Sequence, residues 1–151
     1  MSQNYQRYQI ILTETSPEFS VHGKKAFGKC MLEARGETGK VNFSIQNLKP
    51  GIICNAYIVA AGNDTNLAIH IGKILSNAAG NAEIKWECNA NNVDESGLSL
   101  KAFNVAGVMI FGENVVNAPI MGYRDSEIMW KNNLRVHNKQ TSRTEDVTCE
   151  C

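Results

Sequence analysis

The chain has 151 residues, enough for one domain with a core of its own. Its fifteen Lys and Arg balance fifteen Asp and Glu and lie interspersed with them, which argues against a nucleic-acid or anionic-membrane surface. The longest apolar stretches, residues 56–61 and 105–111, are far too short to cross a bilayer, and residues 1–7 lack the pattern of a signal peptide, so a cytoplasmic location is expected.

Short alternating apolar and polar runs divided by turn residues dominate the chain. Residues 8–13 predict a first strand, joined to the middle by a loop around Ser16, Pro17 and Glu18. In residues 26–35, Gly28, Cys30, Leu32 and Ala34 share one face, while Lys29, Met31, Glu33 and Arg35 share the other. A turn at 36–39 leads to a run in which Val41, Phe43 and Ile45 point one way, so the two runs form a hairpin. The turn Asn47-Leu48-Lys49-Pro50-Gly51 precedes a strand at 52–61. Residues 67–75 and 82–88, separated by a turn ending at Gly80, predict a second hairpin with Ala82, Ile84, Trp86 and Cys88 inward. Residues 105–111 are apolar on both faces, the mark of a central strand covered on both sides.

Two stretches leave this pattern. Residues 89–97 form a long polar loop, and residues 98–103 after it suit one short helical turn. Asp125 or Ser126 is a plausible N-cap, with Glu127 in the first turn, for a short helix whose apolar face would carry Ile128 and Met129.

The expected fold class is all-β: an immunoglobulin-like antiparallel β-sandwich of seven or eight strands with a short C-terminal helix. Leu32, Phe43, Ile45, Tyr57, Ile71, Ile84, Trp86 and Val108 are expected in the core, and Trp86→Ala should cost about 3–5 kcal/mol. The domain is placed at residues 1–135. Residues 136–151 are polar and are expected to be a disordered tail.

The succession of the Asn47-Leu48-Lys49-Pro50-Gly51 turn, a strand bearing Tyr57, Ile71-Gly72-Lys73 and the Gly80 turn resembles small β-sandwich modules in uncharacterised proteins of low-GC Gram-positive bacteria. That resemblance spans residues 24–112 and rests on turns and strands. It implies an immunoglobulin-like fold and carries over no catalytic residue.

Chemical motifs are sparse. There is no glycine-rich nucleotide loop and no Gly-x-Ser-x-Gly elbow, and His22, His70 and His137 lie far apart with no partner at a metal-binding spacing. His70 alternates with Ile69 and Ile71, which suits a strand surface. The five cysteines split into Cys30, Cys54 and Cys88 within strands and the terminal Cys149-Glu150-Cys151. An odd count without a signal peptide argues against a disulfide framework. Cys149 and Cys151 are the candidate metal ligands, because two thiolates two positions apart can chelate a soft metal or form a redox pair. The loop at 89–96, with Asn63 and Asp64, offers oxygen atoms to calcium but lacks the spacing of a calcium loop.

Three functions are compatible with these residues. The leading one is a non-enzymatic structural or protein-interaction module, without cofactor, that self-associates as a homo-oligomer. Residues 115–121 together with Met129 and Trp130 are too apolar to stand in water and would contribute to its interface. The second is a thiol- or metal-linked protein acting through Cys149 and Cys151. The third is a small enzyme whose site is assembled from dispersed residues.

Overall fold

Nine strands, two short 3-10 turns and their connections make up the described part of a computed structural model, which covers residues 5–62, 66–111 and 116–137. The strands are β1 (Tyr5–Glu14), β2 (Phe27–Arg35), β3 (Thr38–Gln46), β4 (Ile53–Ala60), β5 (Asn66–Leu75), β6 (Ala82–Asn89), β7 (Val105–Phe111), β8 (Val116–Tyr123) and β9 (Leu134–Val136). They form one curled sheet in the order β6-β3-β2-β1-β8-β7-β4-β5-β9. The all-β class is as the alternation predicts, and the strand count is nine among the described residues.

Alternation decides which side of each strand is dry. Cys30 and Leu32 on β2, and Val41, Phe43 and Ile45 on β3, are buried, while the residues between them face outward. The β2–β3 hairpin closes more tightly than the sequence suggests. Arg35 pairs with Thr38, leaving only Gly36 and Glu37 in the loop. Gly36 has φ 60°, a left-handed conformation that a tight hairpin asks of its first loop residue and that glycine meets without steric cost. β7 sits between β4 and β8 and is buried over Val105–Met109, the doubly covered strand its composition predicts.

Two cores lie on opposite sides of the sheet. The larger holds Ile10, Leu32, Phe43, Ile58, Ile69, Val108 and their neighbours, drawn from strands at both ends of the order. The smaller holds Val59, Ala68, Val105, Met109, Met121 and Trp130, under the C-terminal segment. Trp86 has the predicted phase but is only half-buried at the margin of the larger core, whose biggest fully buried side chains are Phe43 and Phe103. Tyr57 is also half-buried, and it packs against the smaller core.

The second predicted hairpin is not formed. β5 pairs with β4 along its length, and β6 pairs with β3. The six residues 76–81 carry the chain from one side of the curl to the other. Asn77 Oδ1 organises that turn by accepting from Ala79 N at 2.9 Å and Asn81 N at 3.0 Å. β5 and β6 still approach closely, through side chains instead of a ladder. A Cβ added to Gly72 would fall 2.6 Å from Ile84 Cδ1, so glycine makes room for the isoleucine at this seam. In/out periodicity specifies a strand's face and is silent on its neighbour.

The predicted C-terminal helix is not seen. Residues 124–133 run irregularly and end in β9, which pairs in parallel with Asn66–Ala68 of β5. Exposure alternates along this segment: Ile128 is half-buried, Met129 is 76% exposed and Trp130 is 3% exposed. The Asp125 carboxylate meets Arg124 Nε at 3.1 Å instead of capping a turn. A helix of seven residues would gain few hydrogen bonds against its nucleation cost, whereas the irregular path buries Trp130 on the sheet. The polar loop contains the 3-10 turn Val93–Glu95, and the second turn, Leu100–Ala102, lies where one helical turn is expected.

Candidate functional site

The predicted metal ligands Cys149 and Cys151 lie outside the described residues, as do Asn63 and Asp64 of the calcium reading. Several of the remaining oxygens of that reading already have partners within the chain. Asn89 Oδ1 accepts from Asn91 N at 2.8 Å, Asn92 Oδ1 accepts from Gly97 N at 2.7 Å, and the Asp94 carbonyl accepts from His137 Nε2 at 2.8 Å. The two asparagine bonds are the local ones that Asn makes in turns, whereas the Asp94–His137 contact ties the loop to the segment after β9. Among the described residues no three His, Cys, Asp or Glu side chains gather closely enough to hold a metal ion.

The three described thiols are free. Burial pushes the Cys30 thiol far up, and holds Cys54 and Cys88 at about 11, with the Asp94 charge adding to the effect at Cys88. At neutral pH none of the three carries appreciable thiolate, the form that attacks or binds metal.

The histidines stay apart. His22 is exposed in the loop after β1, and His137 follows β9. His70 lies on the outer face of β5, where strand pairing places it beside Tyr57. Their rings are 4.9 Å apart, and Phe111 lies 4.8 Å from Tyr57 on its other side. His70 Nε2 is 3.1 Å from Asn55 Oδ1, and because an amide oxygen only accepts, Nε2 carries the proton. Partial burial and the Lys73 charge hold His70 below its usual value, and burial raises Tyr57. At pH 7 the group is therefore a neutral cluster of tilted aromatic rings, with no acid among the described residues paired to His70.

The outer face of β1, β2, β3 and β6 carries alternating charge. Strand register aligns Arg7, Glu33, Lys40 and Glu87 in one row. Tyr5 donates to Glu33 at 2.5 Å, and Arg35 stacks 4.8 Å over the Tyr5 ring. Opposite charges on facing strands suit a solvated sheet face. In the adjoining hollow of about 250 Å³, Asn42 Oδ1 is buried with no hydrogen-bond partner among the described residues. A wider hollow of about 730 Å³ lies beside Met129 and Lys131.

The surface feature that departs most from a solvated sheet is apolar. Ile11 (55% exposed), Phe27 (47%), Ile53 (59%) and Leu75 (64%) all point outward. Ile11 pairs with Lys29, two residues beyond Phe27, so Ile11 and Phe27 are diagonal neighbours. Phe27 pairs with Gln46, and Gln46 shares with Leu75 a hollow of about 340 Å³ whose other walls include Ser44, Asn77, Asn81 and Glu83. Leu75 pairs with Ile53. The four apolar side chains thus make a band across β1, β2, β5 and β4, interrupted by a polar-walled hollow.

None of these four was singled out in the sequence, yet a signal is present there. Each belongs to an apolar doublet that breaks strict alternation: Ile10-Ile11, Ala26-Phe27, Ile52-Ile53 and Ile74-Leu75. In three of the doublets the first residue is at most 1% exposed, and Ile52 packs partly buried against the same core. The second residue of each has no place inside.

Fold and surfaces define a small all-β chain in which many described polar side chains serve turns and facing strands and part of the apolar surplus lies on the outside. The chain belongs to the family described as domain of unknown function DUF7922, whose model matches residues 4–135. No curated protein and no solved structure matches the chain. No helix among the described residues is long and apolar enough to cross a membrane.

Proposed function

We propose that this chain is a non-enzymatic protein-interaction module that associates with copies of itself, and that the apolar band is its contact surface. The observation that carries the reading is the band: four large apolar side chains, each about half exposed or more, in one line broken by a single polar-walled hollow. Soluble monomers rarely leave such a line open, because burying it against a partner removes apolar area from water. The interface expected at residues 115–121 and Trp130 has less support, since Ala118, Ile120, Met121 and Trp130 are already buried on the chain's own sheet. A zero net charge removes long-range repulsion between copies.

The sandwich belongs to the same reading, with β6, β3, β2 and β1 as one layer and β8, β7, β4 and β5 as the other. A core drawn from both groups supports it. The immunoglobulin-like order has weaker support, because β2 and β3 pair directly here, whereas the second and third strands of that fold lie in different sheets. A reducing cytoplasm suits three free thiols.

Sedimentation equilibrium under reducing conditions tests the reading. The wild-type chain should associate at micromolar concentrations, and Leu75→Glu, which puts a charge into the band, should remain monomeric with an unchanged circular dichroism spectrum. A wild-type chain that stays monomeric at every concentration sinks the proposal.

A further inference from the structure

The register places two unpaired, opposite charges at the edges of the band. Across β1, β2, β3 and β6 one row reads Ile11, Lys29, Ser44, Glu83. Lys29 and Glu83 are both exposed, and among the described residues neither side chain makes a hydrogen bond or an ion pair. Ser44 stands between them, so two strand spacings of about 4.8 Å each separate their backbones. Lys29 lies on the same face of β2 as Phe27, two residues on. Glu83 and Ser44 wall the hollow from which Leu75 projects.

We infer that the partner surface for this band is the same band on a second copy of the chain, related by a two-fold axis, with Lys29 of each copy paired to Glu83 of the other. The inference rests on the self-association reading above and specifies its geometry. A two-fold interface needs a surface complementary to itself, in which each residue meets its counterpart reciprocally. This patch has that property: a cation and an anion set apart along one row, projecting apolar side chains (Phe27, Leu75) and, between them, a hollow of about 340 Å³ to receive such a side chain. The row is neutral as a unit, so two copies attract when antiparallel across the axis and repel when Lys29 meets Lys29. The apolar contacts supply affinity, and the two reciprocal charge pairs fix the register.

Charge reversal tests the pairing in a way that fold damage cannot imitate, since both side chains are exposed. In Lys29→Glu the reciprocal contacts become acid against acid, and in Glu83→Lys they become base against base. Each variant alone should dissociate about tenfold more readily than wild type or worse, as like charges facing each other in an interface cost several kcal/mol. An equimolar mixture of the two should recover wild-type association, because both contacts are then opposite in sign. The measurement is sedimentation equilibrium of the full chain under reducing conditions, with thermal melts of each variant as a control. If both variants associate like wild type while Leu75→Glu is monomeric, the band is the interface and the Lys29–Glu83 pairing is wrong. If both are weakened but the mixture stays dissociated, the reciprocal geometry is overturned. A wild type without association would instead remove the underlying reading.

Discussion

At the scale of single residues, burial decides what the aromatic side chains contribute. Phe43 is fully buried in the larger core, and Phe43→Ala should cost about 3–5 kcal/mol in chemical denaturation. Trp86 is half-buried at the core margin, so Trp86→Ala should cost less, about 1–3 kcal/mol. A larger loss at Trp86 than at Phe43 would contradict the strand placement. His70 gives a sharper electrostatic test. Partial burial and Lys73 lower its value below 6.5, so the fold favours the neutral ring. A group of this kind contributes stability above pH 6.5 and loses it as the pH falls through the folded-state value. In an NMR titration the His70 ring should therefore show a midpoint below 6.5, and Lys73→Gln should move that midpoint upward. A midpoint above 6.5 would show that the ring is not buried as the strand placement requires.

At the scale of elements, two features rest on contacts that can be broken one at a time. The β5–β6 seam depends on Ile84 lying over Gly72. Gly72→Ala should overpack it by about 1–3 kcal/mol, and Ile84→Val, which removes the Cδ1 atom, should recover part of that loss in the double variant. Additive losses would mean the two strands do not meet there. The C-terminal segment depends on Trp130. Trp130→Ala should cost about 3–5 kcal/mol, while Met129→Ala should stay within about 0.5 kcal/mol. Adjacent residues with such unequal effects fit a non-helical segment laid on the sheet with Trp130 inward and Met129 outward. The helix expected from Asp125, Ser126 and Glu127 would set Ile128 and Met129 on a common apolar face. The N-cap signal is real in the sequence, but it competes with the burial of one large side chain and loses.

At the scale of the whole molecule, the proposed self-association would be linked to folding, because only folded chains present the band. The melting temperature should then rise with protein concentration, and Leu75→Glu should abolish the rise. A melting temperature independent of concentration in the wild type would count against the interface.

The sequence alone determined the all-β class, the inward phase of β2, β3 and β6, the covered position of β7 and the β2–β3 hairpin. Each of these is a local property, written in a two-residue period or in a turn of a few residues, and a local period survives whatever the distant chain does. The tertiary structure alone decided that β6 joins β3 and leaves β5, that residues 124–133 run irregularly and bury Trp130, and that Ile11, Phe27, Ile53 and Leu75 fall on one surface. These depend on which strands become neighbours. The period of a strand says which side is apolar, and backbone hydrogen bonds are alike along every strand, so the choice of partner falls to packing among side chains far apart in the chain. The four apolar doublets are visible in the sequence as breaks in alternation, but only the strand order brings their outward members together.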